Sequence, residues 1–169
     1  MNPLGPLTLV VCLSTSAVHA WASESIVTEG VVSAPITAVW DAWATSAGLK
    51  SWLAPHAEID LRIDGIMRSN HDPKGSLGDA GAIENKVLAY EPERMLSIKV
   101  TKAPENFPFR SRIGDMWTVL YFQPTPDGKT TLRIVGMGFG KDEESQKMKA
   151  FFGQGNAYTL AQLQKRFQQ

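Results

Sequence analysis

Cysteine is almost missing from this chain. Cys12 is the only one, so the body of the protein has no disulfide, no thiolate nucleophile and no cysteine-based metal site. Histidine is scarce too, with His19, His56 and His71 too scattered to suggest a metal centre. Neither sign of charge is in excess: 17 basic residues balance 17 acidic ones, which removes the electrostatic reason to expect nucleic acid. Beyond the first residues no apolar run reaches membrane-spanning length, so no integral membrane segment is expected. There is no repeat, low-complexity tract or linker. Two motif look-alikes also fail. Gly136-Met137-Gly138-Phe139-Gly140-Lys141 lacks the spacing of either phosphate-binding glycine loop. Gly75-Ser76-Leu77-Gly78 is not a nucleophile elbow. No cofactor is implied.

What is present starts with Ser33 to Pro55. Pro35 suits a first helical turn, and Ile36, Val39, Trp40, Trp43 and Ala47 then share one apolar helical face. Thr45 or Ser46 caps a second short helix from Ala47 to about Trp52, and Pro55 stops it. Trp40, Trp43 and Trp52 bring more apolar surface than two short helices bury between them. Upstream, Leu7 to Leu13 followed by Val18-His19-Ala20-Trp21-Ala22 reads as a signal peptide over residues 1–22. That leaves residues 23–169 as one domain and predicts a periplasmic or secreted protein.

Ser25 to Val32 reads as a first strand. After the helices, Ala57, Ile59, Leu61 and Ile63 alternate with Glu58, Asp60, Arg62 and Asp64, as in a strand with one wet face. Asp64-Gly65 signals a hairpin, with Ile66 to about His71 returning. His71 to Gly81 is a glycine-rich loop, and Ala82 to Tyr90 and Met95 to Thr101 are strands turned by Glu91-Pro92-Glu93-Arg94. Lys102 to Asp115 is long enough to act as a lid or binding loop. Met116 to Gln123 and Thr130 to Phe139 make a further hairpin. The tail from Asp142 is helical, with Phe152, Asn156, Thr159, Leu160, Leu163 and Phe167 on one face and a kink or break expected at Gly153 and Gly155. Antiparallel strands with one apolar face must pack it on something, and the last helix is the only element long enough. The expected fold is α+β: a curved antiparallel sheet of about seven strands wrapped on a long C-terminal helix, two short helices after the first strand, and a cavity between helix and sheet.

Ser33-Ala34-Pro35, then Val39-Trp40-Asp41-Ala42, Leu49-x-x-Trp52 and Pro55, resemble the opening of the activator of heat-shock-chaperone ATPase family, within the START-like, SRPBCC superfamily. The similarity continues through Asp64-Gly65, Gly81, Glu91-Pro92-Glu93-Arg94-Met95-Leu96 and Leu160-x-x-Leu163. It implies the helix-grip fold and, at superfamily level, a small apolar molecule bound in the cavity; a minority of such proteins are cyclases, hydrolases or dehydratases. Where such proteins often carry Gly-Trp in the last helix, this chain has Gly155-Asn156.

The expected ligand-binding set is Trp40, Trp43, Trp52, Met67, Phe109, Arg110, Arg112, Trp117, Phe139, Phe152, Asn156 and Thr159. Its aromatics line an apolar pocket or simply fill the core, and its arginines suit a carboxylate or phosphate head group unless Asp115 pairs with one of them. Phe107 and Phe109 sit on the long loop, at a mouth or lid. His71 is the best acid–base candidate, with Glu84 or Asn85 on the next strand facing it; the simpler reading is an exposed strand-end histidine. Three functions compete: an exported binding module for a small hydrophobic or amphipathic molecule, an enzyme of the same fold using His71, and a protein-interaction module with an apolar patch near Phe107 to Phe109 and an unidentified partner.

Overall fold

The computed structural model describes residues 24–168, so the expected signal peptide lies outside the described residues. Strand β1 (Glu24–Val32) is followed by helices α1 (Ile36–Ala44) and α2 (Ser46–Lys50). Strands β2 (His56–Ile59), β3 (Ile66–Asn70), β4 (Ile83–Glu91), β5 (Met95–Lys102), β6 (Trp117–Pro124) and β7 (Thr130–Phe139) come next, and α3 (Glu143–Arg166) ends the chain. The strands form one antiparallel sheet in the order β1-β7-β6-β5-β4-β3-β2. The chain folds as the sequence indicated: seven antiparallel strands, two short helices after the first, and a long C-terminal helix.

Thr45 separates α1 from α2. Its extended backbone ends the first helix, while its Oγ1 accepts the Gly48 N–H at 2.9 Å and so caps the second. The helices meet closely at Gly48, where a Cβ would collide with the Asp41 carbonyl. The second helix starts one residue earlier than its apolar pattern indicated and stops at Lys50, its C-terminal carbonyls taken up by the Ser51 N–H. Trp52 lies beyond it and donates Nε1–H to the Ala42 carbonyl at 2.9 Å.

The alternation from His56 overruns the strand it describes. β2 stops at Ile59; Ile63 is exposed, Asp64 takes a positive φ of 60°, and Gly65 tucks against the Asp60 carbonyl. Leu61 and Ile63 keep the polarity rhythm of a strand, but the backbone has already turned. β3 likewise ends at Asn70, leaving His71 in the loop.

α3 begins at a capped end: Asp142 accepts the Ser145 N–H at 3.0 Å, with Glu143 and Glu144 in the positive first turn. It runs unbroken through Gly153 and Gly155, contrary to the expected kink or break. Anchoring at both ends explains this. Lys149 and Gln146 hold Glu24 near the helix start, and Leu160 lies over Gly30 while Gln164 Nε2 donates to the Val31 carbonyl at 2.9 Å.

The buried residues form two clusters. The larger joins Val39, Trp40 and Trp43 of α1 to Met67, Val87, Leu96, Ile98, Leu120, Phe122, Leu132 and Ile134 of the sheet, and to Leu160 and Leu163 of α3. The smaller is Met116, Phe139 and Met148, with Ile26, Phe109, Ile113 and Phe152 packed on it. Among the described residues no helix is long and apolar enough to cross a membrane.

Candidate functional site, a seam between sheet and last helix

Strand alternation and pairing register define the inner face of the sheet. Met67 pairs with Asn85, Asn85 with Val100, Ile98 with Thr118, Thr118 with Gly136, and Gly136 with Ile26. Met67 and Ile98 belong to the larger core cluster and Ile26 packs on the smaller. Asn85, Val100, Thr118 and, by alternation from Ile26, Thr28 therefore share the inner face with them. Thr28, Val100 and Thr118 nonetheless stay partly accessible. On α3 the stripe Met148, Phe152, Asn156, Leu160, Leu163 meets the smaller cluster at its first two members and the larger at its last two. Asn156 falls between them, and Thr159 is half-buried beside it. Glu24 fixes Lys149 and Gly30 lies under Leu160, so Asn156 stands over the middle of β1.

This seam is lined by neutral side chains. Asn85 is 8% exposed. The Asn156 Nδ2 is buried without a hydrogen-bond partner, as is the Trp43 Nε1 in the larger cluster. Unpaired buried polar groups are uncommon and costly in a folded protein. Lys102, which closes β5, directs its Nζ to the Asp79 carbonyl at 3.4 Å in the glycine-rich loop.

The segment from Lys102 to Met116 covers the first half of α3. Phe107 meets Phe109 at 5.8 Å between ring centroids, Phe151 at 5.6 Å and Phe152 at 6.2 Å, and Phe109 meets Phe151 at 5.6 Å. These are edge-to-face or tilted contacts, each worth roughly 0.5–1.5 kcal/mol beyond area burial. A second fastening is ionic. Arg112 lies 3.5 Å from Asp142, 3.6 Å from Glu144 and 3.7 Å from Asp115, and the Ser111 hydroxyl donates to Glu144 at 2.7 Å. The Asp142 carboxyl is held below its usual range, first by the Ser145 hydroxyl and N–H, then by the nearby Arg112 charge.

Of the expected ligand-binding residues, Phe109, Phe152, Asn156 and Thr159 come together at this seam or its cover. Trp40, Trp43, Met67 and Phe139 are buried in the packed clusters, with Trp40 edge-on to Phe122 at 5.4 Å and Trp43 edge-on to Trp52 at 4.9 Å. Arg112 is occupied by three carboxylates, the Asp115 pairing weighed from sequence being the longest of the three, and Arg110 reaches the Glu105 carbonyl at 3.5 Å on the surface. Trp117 pairs with Met137 one step from the inward Thr118, so alternation turns it to the outer face, away from α3. Thr28, Val100 and Thr118 were overlooked as lining. Their signal was the alternation itself, since Val100 follows Leu96 and Ile98.

His71 is exposed, and Glu84 faces outward, its Oε1 3.3 Å from the Nε of an Arg68 that also binds Glu58 at 2.9 Å. The two make no hydrogen bond to each other among the described residues. His56 Nε2 lies 3.2 Å from the Pro73 carbonyl. No three potential metal ligands gather among the described residues. Two surface concavities are open to solvent: about 380 Å³ beside the β2–β3 turn, lined by Glu58, Asp60, Arg62 and Arg68, and about 490 Å³ on the outer face at Met95, Tyr121 and Arg133. Neither lies between sheet and helix.

Known proteins bear on this arrangement. The family model described as activator of Hsp90 ATPase homolog 1-like protein matches residues 33–168. No curated protein matches the chain. Among solved structures, a protein from Mesorhizobium loti is similar over 85% of this chain and 96% of its own, at 22% identity and a TM-score of 0.63. CalU16 from Micromonospora echinospora is similar over 86% of this chain and 76% of its own, at 21% identity and a TM-score of 0.62. The Aha1 dimer from Colwellia psychrerythraea gives 16% identity over 85% of this chain and 96% of its own, with a TM-score of 0.62. At these identities the structural likeness speaks for the fold alone.

Proposed function

The chain belongs to the family of activator of Hsp90 ATPase homolog 1-like proteins, and within it we propose a binding module that holds a small hydrophobic or amphipathic molecule between the inner face of the sheet and α3. The observation that carries this reading is the divided core. Thr28, Val100 and Thr118 keep accessible surface on an inner face whose neighbours above and below are packed. The segment carrying Phe107 and Phe109 packs these rings on Phe151 and Phe152 of α3, is held a second time by Arg112, and covers the first half of that helix. Small-molecule sites are mostly apolar with a few polar groups, the mixture that this inner face offers.

The test is thermal unfolding of the purified protein with and without medium-chain apolar compounds. Ligand at about a hundred times its Kd adds roughly 2.7 kcal/mol of stability, enough to raise Tm by several degrees. Thr118→Leu, which fills the seam, should abolish the rise. No rise with any compound, in a protein whose Thr118→Leu variant is no more stable, would count against an open seam.

Export is part of the same reading, and rests on Leu7 to Leu13 and the Ala20 and Ala22 cleavage positions. Intact mass of protein recovered from the periplasm reads it directly: a mature chain beginning after Ala20 or Ala22 supports export, and an uncleaved chain opposes it.

A protein-interaction role has one observation of its own. Phe151 is 46% exposed and Tyr158 67% exposed on the outward side of α3, next to the phenylalanine cover. Replacing Tyr158 with serine should leave small-molecule binding intact and remove any partner recovered with the wild-type chain.

A further inference from the structure

Both buried, unpartnered side-chain polar atoms among the described residues are N–H donors, the Trp43 Nε1 and the Asn156 Nδ2, and no side-chain acceptor among those residues is left in the same condition. Asn156 lies on the α3 stripe between the two core clusters, opposite an inner face that offers Thr28, Asn85, Val100 and Thr118. The ionisable side chains of that face lie towards its ends, Glu24 paired with Lys149 and Tyr90 packed on the larger cluster, and the lysine at its rim, Lys102, is directed to the Asp79 carbonyl. The arginines near the seam are engaged elsewhere, Arg112 with three carboxylates and Arg110 with a backbone carbonyl. No cation stands among Thr28, Asn85, Val100, Thr118 and Asn156, so a head group with full negative charge held there has no counter-ion within the seam. A purely apolar guest leaves the Asn156 amide unsatisfied.

We infer that the molecule held at the seam is uncharged and carries a carbonyl-type acceptor (ketone, ester or amide) that takes the hydrogen bond offered by Asn156. The inference rests on the binding-module reading and narrows it to a ligand class. The physical basis is the asymmetry of buried hydrogen bonds. An unmade one costs the full desolvation of the group, so a guest that completes it gains more than an exposed hydrogen bond supplies. A site with a buried unpaired polar group discriminates against guests lacking the complementary atom.

The experiment compares three nine-carbon probes, methyl heptyl ketone, nonane and nonanoate, by quenching of tryptophan fluorescence in the full-length mature protein and in Asn156→Leu. The wild type should bind the ketone about tenfold or more tighter than nonane, with nonanoate weakest. Asn156→Leu should bind ketone and nonane alike, at a nonane Kd within about twofold of the wild type, and should melt at a higher temperature because an unpaired polar group is gone. If Asn156→Leu fails to fold, Asn156→Asp removes the amide donors at nearly unchanged shape and should lose the ketone preference. Equal binding of ketone and nonane by the wild type overturns this inference and leaves the binding module standing. Tightest binding of nonanoate overturns the uncharged guest. Failure of all three probes to bind overturns the binding module itself.

Discussion

Gly48 sits where α1 and α2 meet backbone to backbone. Nothing in Ala47-Gly48-Leu49 distinguishes it from an ordinary helical glycine, yet an added Cβ would strike the Asp41 carbonyl and come within 2.8 Å of the Ala42 Cα. Backbone cannot move aside as a side chain does, so Gly48→Ala should cost about 1–3 kcal/mol, read as a lower denaturant midpoint at unchanged slope. Gly153 and Gly155 are the contrast. A Cβ at either meets nothing within 4 Å, so alanine at each should stabilise α3 by about 0.5–1 kcal/mol. A loss of stability at either would show that the helix needs their flexibility. Asp127 supplies a third residue-level expectation. Lys129 and then Thr125 draw its carboxyl down to about 2, so its charged form is favoured in the folded hairpin. The contribution is complete above the ordinary carboxylate pKa of about 3.9 and disappears as pH falls toward the folded value. NMR titration of Thr125→Val should show the Asp127 carboxyl moving back up.

Elements were legible where one periodicity governs them and illegible where a distant partner decides. The apolar spacing of Ile36 to Trp43 and the alternation of Met95 to Lys102 translate directly into α1 and β5. Leu61 and Ile63 mislead because the end of β2 is set by hydrogen bonds from another strand, Val87 N–H to the Gly65 carbonyl and Asp64 N–H to the Val87 carbonyl. The lid was visible as a long loop with Phe107 and Phe109. Its fastening was not, since Asp142 and Glu144 lie some thirty residues from Arg112 and only the fold brings them within 4 Å. That clasp is half-exposed, so each ion pair contributes little alone and is screened by salt. Arg112→Gln should therefore leave global stability within about 0.5 kcal/mol while amide hydrogen exchange across 103–115 speeds up. High salt should produce the same acceleration in the wild type and none in the variant. The Asp142 carboxyl is depressed in the fold, so its part of the clasp and of the helix cap is complete above the ordinary carboxylate pKa and is lost as pH falls through the lowered folded-state value. Lid exchange measured in acid should rise before the sheet exchanges. Simultaneous exchange of lid and sheet would show that the clasp holds nothing local.

At the scale of the whole molecule, strand count, helix placement and layer order follow from sequence because each strand exposes one apolar face that only α3 is long enough to cover. The division of the core does not follow, since it depends on register. Asn156 interrupts the α3 stripe in a way visible in the sequence, but only the pairing of Asn85 with Met67 and of Thr118 with Gly136 puts further polar positions on the same inner face. A core split by a seam should also open in two stages. The larger cluster ties α1 to all seven strands and to the end of α3, whereas the smaller rests on Met116, Phe139 and Met148 with the 102–116 segment above them. Native-state hydrogen exchange in rising denaturant should thus resolve a low-energy opening that includes the lid, the end of β7 and Glu143 to about Gly155, below a global unfolding that protects Val87, Leu96, Leu120 and Ile134. Exchange of both regions at one free energy would mean that the seam is closed and the core continuous. A bound molecule spanning the seam makes the opposite change from a specific cause: it contacts both clusters, so it should raise the free energy of the partial opening toward the global one and leave the order of the remaining strands unchanged. On the binding-module proposal, entry and release would pass through the partial opening, and the strength of the Arg112 clasp would set the rate of exchange of the guest more than its affinity.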